Sequence, residues 1–148
     1  MEYLLKITTV LLLSLLATSF VFAEGAGIEW DILNREVKEL YRTGKYGRAV
    51  VVAKKALEVA EENVGPYHPD VATSLNNLAL LYDTQGHYAQ AEPLYKRALK
   101  IYEKALGPDH PSVATSLNNL AGLYRATKRD KEAEPLEQRA ARIRAIKR

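Results

Sequence analysis

The sequence predicts an all-α chain made of three consecutive two-helix units, and three observations support this prediction. A block of 42 residues occurs twice in succession, and a weaker copy precedes it. Apolar residues within each block recur at the three- and four-residue spacing of amphipathic helices. Glycine and proline interrupt these runs at matching places. Such a period with two helices per unit is typical of a stacked helical repeat protein.

The repeat is clearest in one short motif. HPDVATSLNNLA at residues 68–79 returns as HPSVATSLNNLA at residues 110–121, an offset of 42. When residues 65–106 are compared with 107–148, 22 of 42 positions are identical. Unrelated sequences do not share this much, so the two blocks are copies of one unit.

A third and weaker copy lies upstream at the same offset. Its matching positions are Leu33, Asn34, Gly44, Tyr46, Ala49, Lys54, Ala56, Leu57 and Glu61. Together the copies divide the chain into three units, at about 28–64, 69–106 and 111–148. Three such units form one domain without a linker or a second domain.

Each unit is predicted to form two helices. In the middle unit, the apolar stripe of the first helix is Val71, Leu75, Leu78, Ala79 and Tyr82. The stripe of the second helix is Tyr88, Ala91, Leu94, Tyr95, Ala98, Leu99 and Tyr102. Gly86 suits the left-handed residue that ends a helix, and Pro111 suits the first turn of the next one. Pro93 and Pro135 lie about six residues into their helices, where we expect a kink or local unwinding.

The composition excludes several kinds of site. The 148 residues carry a net charge of +3 and no cysteine, which excludes disulfides, thiolate metal sites and a cysteine nucleophile. The three histidines lie in turns, and His68 and His110 are one repeat apart, too far to share a metal. The sequence also has no phosphate-binding loop, nucleophile elbow or HExxH motif. We therefore expect no metal, no cofactor and no enzymatic activity.

The amino terminus has the pattern of a secretory signal peptide. Lys6 is followed by seventeen uncharged residues, 7–23, and then by the polar and flexible segment 24–27. We predict cleavage between Ala23 and Glu24; the alternative is an uncleaved membrane anchor. Export without cysteine favours a bacterial periplasm as the location.

The repeat resembles a known family. Leu75, Leu78, Ala79, Tyr82, Gly86, Tyr88, Ala91, Tyr95 and Ala98 resemble the signature of the tetratricopeptide repeat. The 42-residue unit, with AEPLYKRAL at 91–99 and IYEKALGPDHP at 101–111, is similar to the subclass named for kinesin light chains. The resemblance implies a right-handed α-solenoid of six helices. In such a solenoid, the first helices of the units line a concave groove that binds peptides or protein surfaces.

The same resemblance assigns groove positions to the first helices. The positions with side chains suited to binding are Asn34, Lys38, Arg42, Asn76, Asp83, Asn118 and Arg125. Because Asn34, Asn76 and Asn118 recur at the repeat spacing, their carboxamides can form a ladder that pairs with the backbone of an extended peptide. The alternative is that these asparagines bond neighbouring helices to each other.

These features predict a non-enzymatic scaffold that binds a peptide or protein. The alternative is a structural solenoid that self-associates into homo-oligomers through its helical flanks. The basic end, Arg139–Arg148, is either the solvated outer face of the last helix or a contact for anionic lipid headgroups or an acidic protein. We expect no nucleic acid partner, because no stacking aromatic residue is interleaved there.

Overall fold

The structure is a computed structural model that describes residues 27–146, and this part contains six α-helices and no strand. The predicted signal peptide 1–23 and its cleavage site lie outside the described residues. The helices are α1 (27–42), α2 (Tyr46–Val64), α3 (Pro69–Thr84), α4 (Tyr88–Leu106), α5 (Pro111–Ala126) and α6 (Asp130–Ile146). The predicted all-α solenoid of three helix pairs is confirmed.

The turn inside each unit uses one residue in the left-handed region. Gly44 and Gly86 have φ values of 71° and 75°, and Lys128 holds the same place in the third unit with a φ of 60°. Glycine adopts this conformation without the Cβ clash that other residues suffer. The prediction for Gly86 is therefore correct, and the third unit forms the same turn with a residue less suited to it.

Replacing Lys128 with glycine is expected to raise the free energy of unfolding by about 1 kcal/mol, because it removes the strain of a left-handed lysine. Urea denaturation followed by circular dichroism measures the change. Lys54→Gly, at an exposed position in the interior of α2, is the control and should destabilise by about 1 kcal/mol. Equal destabilisation by both substitutions would contradict the assignment of strain to Lys128.

The histidines that begin the second and third units cap helices. Nδ1 of His68 accepts a hydrogen bond from the backbone N–H of Asp70 at 3.2 Å, and Nδ1 of His110 accepts one from Ser112 at 3.2 Å. Each histidine precedes a proline at the first helical position. This explains why the His-Pro pair recurs at the repeat spacing, since the first N–H groups of a helix have no partner inside it.

Replacing His110 with alanine is expected to lower the free energy of unfolding by about 1 kcal/mol through loss of the cap of α5. His110→Asn should retain most of the stability, because its side-chain oxygen can accept the same bond. Chemical denaturation of the three proteins at neutral pH makes the comparison. If asparagine destabilises as much as alanine, the histidine does not act as a cap.

The two prolines inside the second helices do not interrupt them. Helix α4 is continuous through Pro93, and α6 is continuous through Pro135. Proline removes one backbone N–H, and for Pro93 that group would have bonded to the carbonyl of Ala89. Both Pro93 and Ala89 are exposed, so water can satisfy that carbonyl. The expected local unwinding is therefore absent.

The core runs continuously from one unit to the next. Helix α3 packs on both α2 and α4, and α5 packs on both α4 and α6. One buried cluster joins the first and second units through Val37, Leu40 and Leu81. Two further clusters join the second unit to the third, and Tyr95 is completely buried in one of them. This arrangement fixes the relative positions of the first helices.

Ion pairs between consecutive second helices also follow the repeat. Arg97 of α4 pairs with Glu61 of α2 at 2.6 Å, and Arg139 of α6 pairs with Glu103 of α4. The members of the two pairs are related by the same 42-residue offset. The pattern ends at Ala145, which stands where the next glutamate would be.

Candidate functional site

The first helices of the three units lie side by side and contact each other through polar side chains. Nε1 of Trp30 in α1 donates to Oγ of Ser74 in α3 at 2.8 Å. Oγ of Ser116 in α5 is 3.4 Å from Oδ1 of Asn76 in α3 and donates to it. We use the term first-helix face for the surface that α1, α3 and α5 form together.

Two cavities open between α1 and α3 on the first-helix face. The larger measures about 320 Å³ and is lined by Trp30, Asp31, Asn34, Arg35, Lys38 and Thr73. The smaller measures about 100 Å³ and is lined by Val37, Lys38, Tyr41, Asn77, Leu80 and Leu81. Five of the six residues that line the larger cavity are polar or charged, whereas aliphatic and aromatic residues make up four of the six that line the smaller one. Lys38 borders both, so a single cation separates a polar from an apolar recess.

Asn34, the first member of the predicted ladder, is held by other protein groups. Its side chain is only 6% exposed. Nδ2 of Asn34 donates to the carbonyl of Trp30 at 3.0 Å, and Oδ1 accepts from Nδ2 of Asn77 at 2.9 Å. These contacts tie α1 to α3 and favour the interpretation of Asn34 as a residue that bonds neighbouring helices.

The other two asparagines also contact neighbouring helices. Asn76 accepts the hydrogen bond from Ser116 of α5. The amide of Asn118 is best oriented with its oxygen towards Arg144 of α6. In this orientation the oxygen accepts a hydrogen bond from Nη1 of Arg144 at 2.8 Å. The three carboxamides therefore have partners on three different helices. Ligand contact through them remains a prediction, and the observed bonds favour the structural alternative.

The predicted cations of the first-helix face differ in their pairing. Arg42 is paired with Glu39 at 2.8 Å, and Arg125 is paired with both Asp130 at 2.9 Å and Glu137 at 2.7 Å. Lys38 is exposed and has no ion-pair partner among residues 27–146. A partner's carboxylate would have to compete for the two arginines, whereas Lys38 is available to it.

Asp83 links the two helices of its own unit. Oη of Tyr95 in α4 donates to Oδ2 of Asp83 at 3.5 Å. Partial burial raises the pKa of Asp83, and the hydrogen bond from Tyr95 opposes this increase. In the third unit the same two positions hold Arg125 and Glu137, which form an ion pair. The link between the helices is thus retained while the charge on the first-helix face is reversed.

Sequence reasoning missed two residues of this face. Trp30 lines the larger cavity and donates a hydrogen bond to Ser74. Asn77 donates a hydrogen bond to Asn34 and lines the smaller cavity. The signal for Trp30 was available, since it is the single tryptophan of the chain and lies in the first helix. Its partner could not be identified without the relative position of α1 and α3.

Metal-ligand clusters and membrane-spanning helices are both absent from the part of the chain that the structure describes. Between residues 27 and 146, no three histidine, aspartate or glutamate side chains gather as metal ligands would. None of the helices in that range has the length and apolar character needed to cross a bilayer. The first-helix face offers a partner two cavities, the exposed ammonium group of Lys38, the charges of Asp31 and Arg35, and hydrogen-bonding side chains.

Comparison with known families agrees with the repeat pattern. A family profile described as tetratricopeptide repeat matches residues 39–104 and 85–145. No protein of curated function matches the sequence significantly.

Two solved structures illustrate the similarity of fold. A Podosopora anserina protein, described as a kinesin light chain with nearly identical TPR-like repeats, has a TM-score of 0.71 and 24% identity; the match covers 78% of this chain and 55% of that one. BtubC (BKLC) from P. vanneervenii has a TM-score of 0.56 and 22% identity over 79% of this chain and 63% of that one. The chain thus spans little more than half the length of the first of these relatives.

Proposed function

Because the chain belongs to the tetratricopeptide repeat family, whose repeats generally mediate protein–protein interaction, we propose that it is a non-enzymatic module that binds a peptide or protein on its first-helix face. The observation that carries this proposal is the pair of cavities that share Lys38. The helices are held in place by a continuous core, so the cavities exist before a partner arrives. Pre-organisation of this kind lowers the entropic cost of binding.

The lining of the cavities indicates what a partner should present. The smaller cavity, bordered by Tyr41 and Leu80, suits one apolar side chain. The ammonium group of Lys38 suits a carboxylate next to that side chain. The larger cavity has mixed charge from Asp31 and Arg35 and suits polar groups. We expect such charges to contribute more to partner choice and association rate than to affinity.

Self-association through the flanks is the second candidate function. Exposed aliphatic side chains favour it: Ile28 and Ile32 on α1 are 59% and 51% exposed, and Ile146 on α6 is 67% exposed. The absence of a glutamate at Ala145 weighs against stacking in the manner of the internal units. Light scattering over a range of concentrations distinguishes the two, since a module that acts alone stays monomeric.

Export to a bacterial periplasm is the location that we propose from the amino-terminal pattern. Mass spectrometry of the protein recovered from the producing cells tests it. A mature chain that begins at Glu24 supports cleavage and export, whereas an intact amino terminus in the membrane fraction supports the anchor. Both outcomes are compatible with binding on the first-helix face.

A pull-down with matched variants tests the proposed binding face. The variant Lys38→Glu with Leu80→Gln changes the lining of the smaller cavity. The control, Lys131→Glu with Val51→Gln, makes the same charge change and also replaces one aliphatic residue with glutamine, at exposed positions of second helices. Circular dichroism first establishes that all three proteins are folded. We expect a partner retained by the wild type and the control and lost by the cavity variant; equal recovery by all three would refute the proposal.

A further inference from the structure

A basic cleft lies on the side of the molecule formed by the second helices. It measures about 320 Å³ and is lined by Tyr67 in the α2–α3 connection and by Arg97, Lys100, Ile101 and Lys104 on α4. Three of its five lining residues are cations. The cleft is separate from the first-helix face and has no role in the function proposed above.

The repeat shows which of these cations the fold requires. The pair Arg97–Glu61 has a counterpart in Arg139–Glu103, so the fold uses this contact at both unit boundaries. The charge of Arg97 is therefore largely neutralised by Glu61, and that of Glu103 by Arg139. The two lysines of the cleft remain as the source of positive potential.

Two other lining residues depart from the repeat. Tyr67 corresponds to Asp109 in the next unit, and Lys104 corresponds to Ile146. The same fold accepts an acid and an aliphatic residue at these positions, so packing does not require tyrosine and lysine there. Nζ of Lys104 lies 5.4 Å from the centre of the Tyr67 ring. The two residues that differ from their counterparts in the next unit therefore form a cation–π contact with each other.

Lys100 and Lys104 present their charges on the same side of α4. They are four residues apart, and residues at this spacing lie on one helix face. Both are exposed, and neither has an ion-pair partner among residues 27–146. Two adjacent ammonium groups without carboxylate partners attract an anionic group. Lysine binds phosphate as a compact point charge and does not require the planar geometry that arginine uses with carboxylates.

Exposed apolar groups lie at the end of α2 and in the α2–α3 connection, where Tyr67 contacts Lys104. Tyr67 is 70% exposed, and Val64 at the end of α2 is 45% exposed. Tyrosine and aliphatic side chains next to lysines are the combination by which proteins attach to the surface of a bilayer, the apolar groups entering the interface and the cations binding headgroups. We propose that this cleft binds the phosphate groups of an anionic lipid surface, with Tyr67 and Val64 as shallow anchors.

Binding of the full chain to lipid vesicles tests the proposal. Vesicles of phosphatidylcholine are compared with vesicles that contain about 30% phosphatidylglycerol, a composition that gives a negative surface potential. The neutral vesicles measure what the rest of the chain contributes. We expect a preference for the anionic vesicles that high salt removes. Lys100→Gln with Lys104→Gln should lower partitioning onto them by about tenfold or more.

Matched variants distinguish a site from general charge attraction. Lys54→Gln with Lys131→Gln removes the same charge at exposed positions outside the cleft and should change partitioning by less than about threefold. Tyr67→Ser leaves the net charge unchanged and should weaken binding several-fold. Equal losses from the two lysine pairs, no effect of Tyr67→Ser, or no preference of the wild type for anionic vesicles would each overturn the proposal.

Discussion

Replacing Tyr95 with alanine is expected to lower the free energy of unfolding by about 3–5 kcal/mol. The Tyr95 side chain is completely buried and packs in a cluster that contains Leu120 and Leu123 of the next unit. Alanine would leave a cavity at the boundary between two units and remove the hydrogen bond to Asp83. Because small domains are only marginally stable, a loss of this size removes a large part of the total.

Two variants separate the contribution of the ring from that of the hydroxyl group. Tyr95→Phe keeps the ring and should cost about 1 kcal/mol or less, because the bond to Asp83 is long. Glu137→Ala, at the matching position of the third unit, changes a side chain outside the core and should also have a small effect. Chemical denaturation at pH 7 gives the three values. A cost below about 1 kcal/mol for Tyr95→Ala would contradict the packing described here.

Replacing Glu92 with glutamine is expected to lower the free energy of unfolding at pH 7 by about 2 kcal/mol and to weaken its dependence on acid. Glu92 lies between Arg129 at 2.7 Å and Lys96 at 2.6 Å, and accepts a hydrogen bond from Oη of Tyr124 at 3.2 Å. The hydrogen bond from Arg129, followed by that from Lys96, lowers the pKa of Glu92 from 4.5 to about 2. The ionised carboxylate therefore stabilises the folded state more than the unfolded one.

The sign of this shift fixes the pH range of the effect. A carboxyl group whose pKa is lowered on folding contributes its full stability above about pH 4.5 and loses it as the pH falls towards 2. The difference between wild type and Glu92→Gln should be largest at pH 5–7 and close to zero near pH 2. Urea denaturation at several pH values measures it. The control is Glu134→Gln, at the exposed position of the third unit that matches Glu92, and its effect on the free energy of unfolding should not vary with pH in this way. If the two variants lose stability with the same dependence on pH, the role assigned to the ionised Glu92 is wrong.

The fold could be predicted from the sequence because the apolar positions of two helices recur in all three units. The Gly86 turn and the prolines that begin α3 and α5 each have a local physical reason, and the 42-residue period aligns them. The left-handed Lys128 illustrates the limit of local reasoning. Lysine does not suit the left-handed position of this turn. The packing of α5 against α6 nevertheless imposes on Lys128 the same conformation as that of Gly86.

The site was harder to predict, because its properties depend on contacts between units. A surface position for Asn34 follows from the repeat signature, but its burial results from the approach of Asn77 on the neighbouring helix. Likewise, the sequence identifies Arg125 as a cation of the first-helix face but does not show that Glu137 and Asp130 are bound to it. Lys38 is the predicted residue whose exposure and cavity position remain suited to a partner.

Site-specific photo-crosslinking tests the central claim, that the first-helix face binds the partner, most directly. Benzoylphenylalanine is introduced in place of Leu80, which lines the smaller cavity, or in place of Val51, which is 69% exposed on α2. We predict that a protein that copurifies with the chain is crosslinked from position 80 and not from position 51, and that Lys38→Glu abolishes the product. Crosslinking of that protein from position 51 alone, or unchanged crosslinking in the Lys38→Glu background, would contradict the account.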